Sequence, residues 1–389
     1  MNIPESVKDI LAVLNTAGFE AYAVGGCVRD SVLGREPKDW DITTNAAPQE
    51  VKKLFRRTVD TGIAHGTVTV LRGGEGFEIT TYRLDGSYSD GRHPDSVTFT
   101  PELCEDLRRR DFTINAMACA ADGEIVDLFG GREDLRRGLI RCVGNADERF
   151  REDALRILRA LRFAAQLDFR IEEASWEALK RHAPNLIHVS KERILTELNK
   201  LLLSPHPERI SLIYEAKLSA YLAESFPRLC CASWVAYLPE KKHLRWAAAA
   251  KELDATELRE LLRELKSDLD TVDCASLLLQ KWKKPLPDTA AGVRVLLSEI
   301  GAERFDELLL LKQHEAADAA ARAAELKAAV MAAGDCISLK TLAVSGRDLI
   351  QAGVQPGPVL GQKLKELFQS VLEQPELNQR EILLEMLEK

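Results

Sequence analysis

The chain has no excess of basic residues, no paired-cysteine motif and no long apolar run. Its 53 Lys and Arg residues are outnumbered by 61 Asp and Glu residues, and the net charge of -8 argues against a uniformly basic nucleic-acid-binding surface. The eight cysteines contain no C-x-x-C pair and no histidine partner at zinc spacing, so they are predicted to be reduced core residues. No apolar run reaches the roughly 18 residues that a membrane helix needs. The N-terminus also lacks a basic and an apolar signal segment, so we expect a cytoplasmic protein with no membrane partner.

What the chain has instead is length and two contrasting patterns. At 389 residues it is too long for one compact core, so two to four folding units are expected. Up to about residue 137 short alternating segments predict strands between helices, and from about residue 148 the helical period dominates. The predicted fold class is an α/β head, with a mixed sheet of four or five strands and flanking helices, followed by all-α segments.

The main predicted elements have definite ranges. Strands are predicted at 20–24 and 39–43 and a hairpin at 65–71 with 76–83; helices are predicted at 5–19, 48–54, 147–167, 191–203 and 303–333. The stretch 84–94 is rich in turn formers and charges, which predicts a mobile loop.

Two aspartates one residue apart are the most informative feature of the head. Asp39 and Asp41 lie on a predicted strand, where side chains two apart project to one face and can share a pair of Mg2+ ions. Gly25 and Gly26 precede them and let backbone N-H groups approach phosphate, and the helix predicted from Cys27 points its positive end at the same place. The arrangement suits the handling of a nucleoside triphosphate.

Three further residues extend this predicted site. Glu78, on a neighbouring predicted strand, is the candidate third carboxylate; ordinary exposure at a strand edge is the alternative interpretation. Arg29 is predicted to brace the triphosphate, and Asp30 to anchor it.

Arginines are concentrated between residues 108 and 162, although the chain as a whole is acidic. Within this stretch Arg110 is a candidate nucleotide ligand, because a planar guanidinium suits bidentate phosphate or ribose contact, and Asp111 is its predicted buried partner. The alternative is a charge cluster that caps a helix.

A second charged series recurs every three residues on one predicted helix. Its members are Asp153, Arg156, Arg159 and Arg162. A carboxylate acceptor beside a guanidinium donor matches cytosine and adenine, which both present an amino group next to a ring-nitrogen acceptor, and it disfavours uracil and guanine. The alternative is a weak intrahelical ion pair.

These residues, taken in order, resemble the bacterial class II CCA-adding enzymes, tRNA nucleotidyltransferases of the DNA polymerase beta superfamily. The segments that carry the resemblance are 24–30, 39–41, 61–68, 109–116 and 152–156, with a weaker match at 342–349. The resemblance implies an elongated, seahorse-shaped molecule made of four domains. They are a nucleotidyltransferase head with the catalytic carboxylates at 1–137, a helical base-reading neck at 138–205, a helical body at 206–335 and a helical, tRNA-binding tail at 336–389.

The resemblance also implies roles for individual residues. Asp39 and Asp41 would bind Mg2+, while Gly26, Arg29 and Arg110 would hold the incoming nucleotide. By the same resemblance, the base would be read by Asp153 and Arg156, with Arg159 and Arg162 near the triphosphate. The implied partners are tRNA, at its acceptor stem and 3' end, and CTP and ATP, for a monomer or a homodimer.

Several alternatives remain open at this point. Bacterial poly(A) polymerases share the head, but the segment 62–67 resembles the CCA type. A CC-adding enzyme lacks the loop that this chain keeps near 83–94, whereas an A-adding enzyme has one. A non-catalytic RNA-binding protein and a nucleotidyltransferase acting on a small molecule are the remaining alternatives. The intact carboxylates disfavour the former and the long helical half disfavours the latter.

Overall fold

The computed structural model describes residues 1–86, 97–224 and 226–387. The chain divides into two compact units. The first unit comprises Met1–Tyr237 and Leu261–Ser267, and the second comprises Leu238–Glu260 and Asp268–Lys389. The four-domain division stays a prediction.

The first unit contains the β structure of the described chain. Its strands are β1 (Ala21–Val24), β2 (Asp41–Thr44), β3 (Thr58–Gly62), β4 (Thr67–Arg72), β5 (Glu75–Thr81), β6 (Arg83–Asp85), β7 (Val97–Phe99), β8 (Met117–Cys119), β9 (Ile125–Asp127), β10 (Leu139–Ile140) and β11 (Arg170–Ile171). Among the described residues, seven of these strands form one mixed sheet in the order β3-β4-β5-β2-β1-β8-β9, while β6 pairs with β7 and β10 with β11. The α/β head with a mixed sheet is thereby confirmed.

The helices of the first unit cover the sheet and then continue beyond it. They are α1 (Glu5–Thr16), α2 (Gly26–Val32), α3 (Pro48–Leu54), α4 (Leu103–Arg108), α5 (Gly131–Arg137), α6 (Ala146–Glu152), α7 (Leu155–Leu167), α8 (Glu173–His182), α9 (Lys191–Leu202), α10 (Leu212–Glu215) and α11 (Ser219–Leu222). α1 buries the apolar stripe that its sequence predicts, from Val7 through Ile10 and Leu11 to Leu14. α7 is buried along most of its length, which places it at the centre of this unit.

The sheet confirms some of the predicted strands and corrects others. The hairpin is confirmed, because β4 and β5 are antiparallel and turn at Gly73 and Gly74, both with positive φ. The prediction of four or five strands is wrong, because the sheet has seven; β3, with five residues, and the three-residue strands β8 and β9 were not predicted. The strand predicted from Asp39 begins only at Asp41, so Asp39 lies just before β2.

The helix predicted over 147–167 is two helices. α6 ends at Glu152, Asp153 has extended backbone angles (φ -140°, ψ 103°), and α7 starts at Leu155. The break occurs where the Asp153 Oδ1 accepts a hydrogen bond of 3.0 Å from the Leu155 backbone N-H. A side chain that caps the backbone in this way competes with continuation of the helix. Asp153 therefore stands outside the helix that carries the three arginines.

The second unit is built of helices. They are α12 (Lys242–Ala249), α13 (Ala255–Glu264, whose last residues belong to the first unit), α14 (Leu269–Trp282), α15 (Ala290–Gln313), α16 (Ala317–Ala332), α17 (Gly346–Gln351), α18 (Pro358–Glu373) and α19 (Arg380–Glu385). The nearly continuous helix predicted over 303–333 is wrong, because α15 ends at Gln313 and α16 starts at Ala317. Near the C-terminus Leu349, Val371 and Leu383 form a small apolar core with their neighbours.

Two predictions about composition can be compared with the fold. Every cysteine of the described chain is free; four are buried, but Cys230 is exposed, so the prediction that all are core residues is wrong. Among the residues described, no helix is both long and apolar enough to cross a membrane.

Candidate active site

An open cavity of about 440 Å³ lies in the first unit between the sheet, α2 and α7. Its charged lining consists of seven arginines and three aspartates: Arg29, Arg109, Arg110, Arg156, Arg159, Arg162, Arg193, Asp41, Asp111 and Asp153. Gly25, Gly26, Asn115, Leu155 and Phe163 complete it. The lining is therefore strongly cationic in a chain whose net charge is -8. This is the local concentration of positive charge that a polyanionic ligand requires.

The glycine pair opens the cavity at the start of α2. Gly25 has φ 82°, a left-handed conformation that suits glycine, and a Cβ there would lie 3.1 Å from Arg110 Nη1. Gly26 is the first residue of α2, where backbone N-H groups have no intrahelical acceptor and can face an anion. The backbone at Gly25 thus lies close to the guanidinium of Arg110. Gly26, at the start of α2, leaves its backbone N-H group available to a ligand.

Arg29 is held in a fixed orientation above this helix start. Its Nε and Nη2 donate to Asp30 Oδ1 and Oδ2 at 2.9 and 3.0 Å, which is the predicted anchoring. Its Nη1 donates to Asn115 Oδ1 at 2.7 Å. The guanidinium therefore reaches the cavity already aligned.

Asp41 lines the cavity, and Asp39 and Glu78 lie close enough to act on its charge; these three carboxylates are here called the carboxylate edge. β2 and β5 are parallel with Ile42 opposite Ile79, so Asp41 and Glu78 are neighbours across the two strands. Partial desolvation by the surrounding protein raises the pKa of the Asp41 carboxyl, although the residue keeps contact with solvent; the guanidinium of Arg110 opposes this rise, and Glu78 and Asp39 add to it. The three groups thus act on one another electrostatically.

The carboxylate edge fits a hard divalent cation. All three side chains are exposed, and none accepts a hydrogen bond or forms an ion pair with another residue in the described ranges. Oxygen donors without a protein partner are what Mg2+ prefers, and Mg2+ commonly takes one or two carboxylates together with water and substrate phosphates. Within 1–86, 97–224 and 226–387 no group of three acidic, histidine or cysteine side chains could hold a metal ion together, so Asp39, Asp41 and Glu78 do not form a complete protein cage.

Cys27 lies directly behind the carboxylate edge. Its thiol donates to the Val24 carbonyl oxygen at 3.3 Å, and burial, together with the charge of Asp41, raises its pKa to about 11. The thiol therefore stays protonated at neutral pH.

Arg110 faces the carboxylate edge but has a different partner from the one predicted. Its Nη2 donates to Asp106 Oδ2 at 3.2 Å, whereas Arg109 donates to Asp106 Oδ1 at 3.0 and 2.6 Å. Asp106 is fully buried and also accepts a hydrogen bond from Thr43. Burial raises the pKa of Asp106, but Arg110 and Arg109 outweigh it and hold that pKa below its ordinary value. The prediction that Asp111 is the partner of Arg110 is therefore wrong.

Asp111 is buried as predicted, and its cationic partner is Arg159. Arg159 Nε donates to Asp111 Oδ2 at 2.8 Å, and the other carboxylate oxygen accepts from the Phe112 backbone and from Asn115 Nδ2. Because Asn115 also accepts from Arg29, hydrogen bonds run without interruption from α2 to α7. The network sets the distance between two guanidinium groups of the cavity.

Asp153 does not pair with Arg156, as the sequence predicted, but with an arginine of another helix. Asp153 Oδ2 accepts from Arg193 Nη2 on α9 at 2.8 Å. Arg156 donates instead to Glu152 Oε2 at 2.6 Å and to the Arg109 carbonyl oxygen at 2.9 Å. Both residues nevertheless line the cavity, so the structure brings the carboxylate and the guanidinium to the same wall.

Three guanidinium groups pack against the ring of Phe163. The guanidinium carbons of Arg162, Arg29 and Arg159 lie 4.0, 5.1 and 5.5 Å from its centroid. Burial lowers the pKa of Arg162 to about 10; Glu197, whose Oε2 lies 2.6 Å from Arg162 Nε, opposes the shift. Arg162 therefore remains charged at neutral pH, and the ring stabilises closely spaced cations.

Eight of the ten predicted site residues line the cavity, and the other two, Asp39 and Glu78, belong to the carboxylate edge. Sequence reasoning missed Asp106, Asn115, Phe163, Arg193 and Glu197. The first two belong to the 106–115 segment and Phe163 directly follows Arg162, so proximity in sequence was a usable signal. Arg193 and Glu197 lie on a later helix, and nothing in the sequence connects them to α7. The predicted mobile loop falls largely in 87–96, outside the described residues.

Models of known families match most of the chain. "Poly A polymerase head domain" matches residues 21–141, and "Probable RNA and SrmB- binding site of polymerase A" matches 168–229. A model of tRNA nucleotidyltransferase domain 2 matches 238–387. The first of these covers the seven-stranded sheet and the three residues of the carboxylate edge.

Individual relatives match over nearly the full length. The CCA-adding enzyme of Limosilactobacillus reuteri (strain DSM 20016) is 40% identical over 403 residues, covering 99% of this chain and 96% of that protein. The CCA-adding enzyme of Leuconostoc mesenteroides is 40% identical over 389 residues, covering 97% and 94%. The solved structure of the Bacillus stearothermophilus CCA-adding enzyme in complex with CTP is similar with a TM-score of 0.85 and 33% identity, covering 100% of this chain and 98% of that one.

Proposed function

The chain belongs to the CCA-adding enzymes, the metal-dependent tRNA nucleotidyltransferases, and we propose which of its residues perform the family's reaction. It adds C, C and A to the 3' end of tRNA from CTP and ATP. The observation that carries the assignment of residues is the cationic cavity adjoining the carboxylate edge. The arginines of the cavity would bind the triphosphate, and the carboxylate edge would bind the metal that the transfer requires.

Mg2+ is the proposed metal, with Asp39 and Asp41 as its ligands. When bound, Mg2+ lowers the pKa of the terminal ribose 3'-hydroxyl and stabilises the departing pyrophosphate. Glu78 adds negative charge beside Asp41 and completes the catalytic carboxylates. Among the described residues none of these three carboxylates forms a direct ion pair, which supports the proposal because the carboxylate oxygens remain available to a cation.

The incoming nucleotide is held from two sides. Gly26 offers backbone N-H groups at the start of α2, and Arg29 and Arg110 contact the phosphates or the ribose from the head. Arg159 and Arg162 face the triphosphate from α7. Their fixed partners, described above, support this proposal because aligned donors lose little conformational freedom on binding.

The base is selected by protein groups without a nucleic-acid template. Asp153 accepts a hydrogen bond from the exocyclic amino group of cytosine or adenine, and Arg156 donates to the neighbouring ring nitrogen. Uracil and guanine present a carbonyl oxygen to the same carboxylate and are disfavoured by charge repulsion.

The wider organisation follows the family. We propose a head at 1–137, a neck at 138–205, a body at 206–335 and a tRNA-binding tail at 336–389, acting in the cytoplasm on the acceptor stem and 3' end of tRNA. The similarity to family models over 21–141, 168–229 and 238–387 supports a modular division, although its boundaries differ from those proposed.

A single assay tests the activity and separates it from its alternatives. The protein is incubated with Mg2+, each labelled NTP in turn, and tRNAs that end before the first C, at the first C, at the second C, or with the complete CCA. CCA addition restores one complete end and then stops. Addition of CC alone, of A alone, or of a long A tail would each contradict the activity stated here.

A further inference from the structure

The carboxylate of Asp153 is held from two directions before any nucleotide arrives. Its Oδ2 accepts from Arg193 Nη2 at 2.8 Å, and its Oδ1 accepts from the Leu155 backbone N-H at 3.0 Å. The side chains of Arg193 and Asp153 are 20% and 16% exposed, so the pair is largely shielded from water. A charge-assisted hydrogen bond in such surroundings is stronger than one on the surface.

α9 supplies this contact as part of a longer arrangement. Arg193 is the third residue of α9, and Glu197 lies one turn further along the same face, where it pairs with the buried Arg162. One helix thus provides counter-charges for two residues of the cavity wall. Because α9 packs on α7, the positions of these counter-charges are set by the core of the first unit.

We propose that Arg193 is a specificity-determining positioning residue for the choice between amino-bearing and carbonyl-bearing bases. The inference rests on the proposed base-reading role of Asp153. Arg193 occupies one lone pair of the carboxylate and turns the remaining acceptor positions towards the base. In return, Asp153 keeps the Arg193 donors away from the base.

The second half of this relationship has a chemical consequence. The guanidinium of Arg193 also lines the cavity, and a guanidinium has five N-H donors and no acceptor. If Asp153 is removed, these donors become available to the carbonyl oxygens of uracil and guanine. The selectivity for the base then depends on Asp153 and Arg193 together. Substitutions of these two residues should therefore have non-additive effects on that selectivity.

The experiment measures kcat/KM for CTP and UTP on tRNA lacking its CCA end, for wild type, R193M, R193K, D153A and the double variant D153A/R193M. R193M should raise the UTP/CTP ratio about tenfold, the size expected when one charge-assisted hydrogen bond is lost. R193K should restore part of the selectivity, because it keeps the charge but not the planar fork. D153A should accept UTP better than the double variant, which has no freed guanidinium.

The matched control is R209M, which removes an arginine from an ion pair with Asp168 elsewhere in the first unit. Its UTP/CTP ratio should equal that of wild type. Thermal unfolding of each variant identifies loss of structure. If R193M does not fold, the UTP/CTP ratio of R193K tests the proposal instead.

The outcomes separate the inference from the function on which it rests. A changed ratio in D153A with an unchanged ratio in R193M and R193K overturns the role of Arg193 alone. Unchanged ratios in D153A and R193M together overturn base reading by Asp153, and with it the inference. A wild-type protein that adds no C or A overturns the residue assignments altogether.

Discussion

Asp111 and Arg159 form an ion pair across 48 positions of the sequence, with Arg159 Nε donating to Asp111 Oδ2 at 2.8 Å. The carboxylate is buried, and the arginine side chain is one-third exposed. Asp111 is 7% exposed and accepts further hydrogen bonds from Asn115 and the Phe112 backbone. Burial raises the pKa of Asp111, but Arg159 and Asn115 outweigh it and hold that pKa well below its ordinary value. The pair connects the segment after α4 to the middle of α7, and so fixes where Arg159 stands in the cavity.

Replacing Asp111 should destabilise the first unit. D111N removes the buried carboxylate that pairs with Arg159; because the Arg159 side chain is one-third exposed, the cost should stay below that of a fully buried pair, at about 1–3 kcal/mol. Urea-induced unfolding measures the change in free energy. D168N is the control, since it removes the carboxylate of a solvent-exposed pair at a left-handed position that asparagine tolerates, and it should change little. Similar losses in the two variants would contradict a special role for the buried pair.

The stabilisation from Asp111 should depend on pH in a defined direction. A carboxyl whose native pKa is depressed stabilises the fold fully above its unfolded pKa of about 3.9, and loses this contribution as pH falls towards the native pKa. The difference in unfolding free energy between wild type and D111N should therefore be constant near neutrality and shrink below about pH 4. A gap that widens on acidification would show that the sign is wrong.

Asp41 should trade stability for activity. Its pKa is raised, first by partial desolvation and also by Glu78 and Asp39, so its ionised form is less stable in the folded protein without metal than that of a free carboxyl. D41N should lower nucleotide incorporation by about a thousandfold or more, because the metal-dependent charge stabilisation is lost. In metal-free buffer its melting temperature should equal or exceed that of wild type. Retained turnover would contradict the metal assignment, and unchanged tRNA binding serves as the control for folding.

The acid limb of the activity profile should respond to the metal concentration. Under the proposed metal assignment, protons and Mg2+ compete for the same carboxylates. The raised pKa of Asp41 brings its protonation above the ordinary range near pH 4. Lowering the pH should therefore reduce kcat/KM, and a tenfold increase in Mg2+ should move the midpoint to lower pH by up to about one unit. A midpoint independent of Mg2+ would place the titrating group elsewhere.

Phe163 should affect nucleotide affinity through the arginines on its ring. F163L retains an apolar side chain but removes three cation-π contacts, each worth about 0.5–2 kcal/mol. KM for CTP and ATP should rise about fivefold or more, because the guanidinium groups lose their alignment. F112L is the matched control: Phe112 packs edge-on against Phe163 at 5.8 Å, is fully buried and does not line the cavity. Equal increases in KM would attribute the effect to core packing.

Local sequence patterns predicted the elements whose signals are contained within a few residues. The turn at Gly73 and Gly74, the apolar stripe of α1 and the helix Pro48–Leu54 all follow from periodicity and turn chemistry. The three-residue strands β8 and β9 were not predicted, because so short a segment shows no alternating pattern. They form strands because β8 pairs with β1 and β9 pairs with β8.

The sequence by itself determined which chemical groups the site contains. The aspartates at 39 and 41, the glycines at 25 and 26 and the arginines of α7 can be recognised because phosphate and metal chemistry demand those residue types at short spacing. Only the tertiary structure decided which charges pair. Asp111 pairs with Arg159, Arg110 pairs with Asp106, and Asp153 pairs with Arg193. An ion pair is selected by distance and burial after the chain has folded, and neither quantity can be obtained from the order of residues along it.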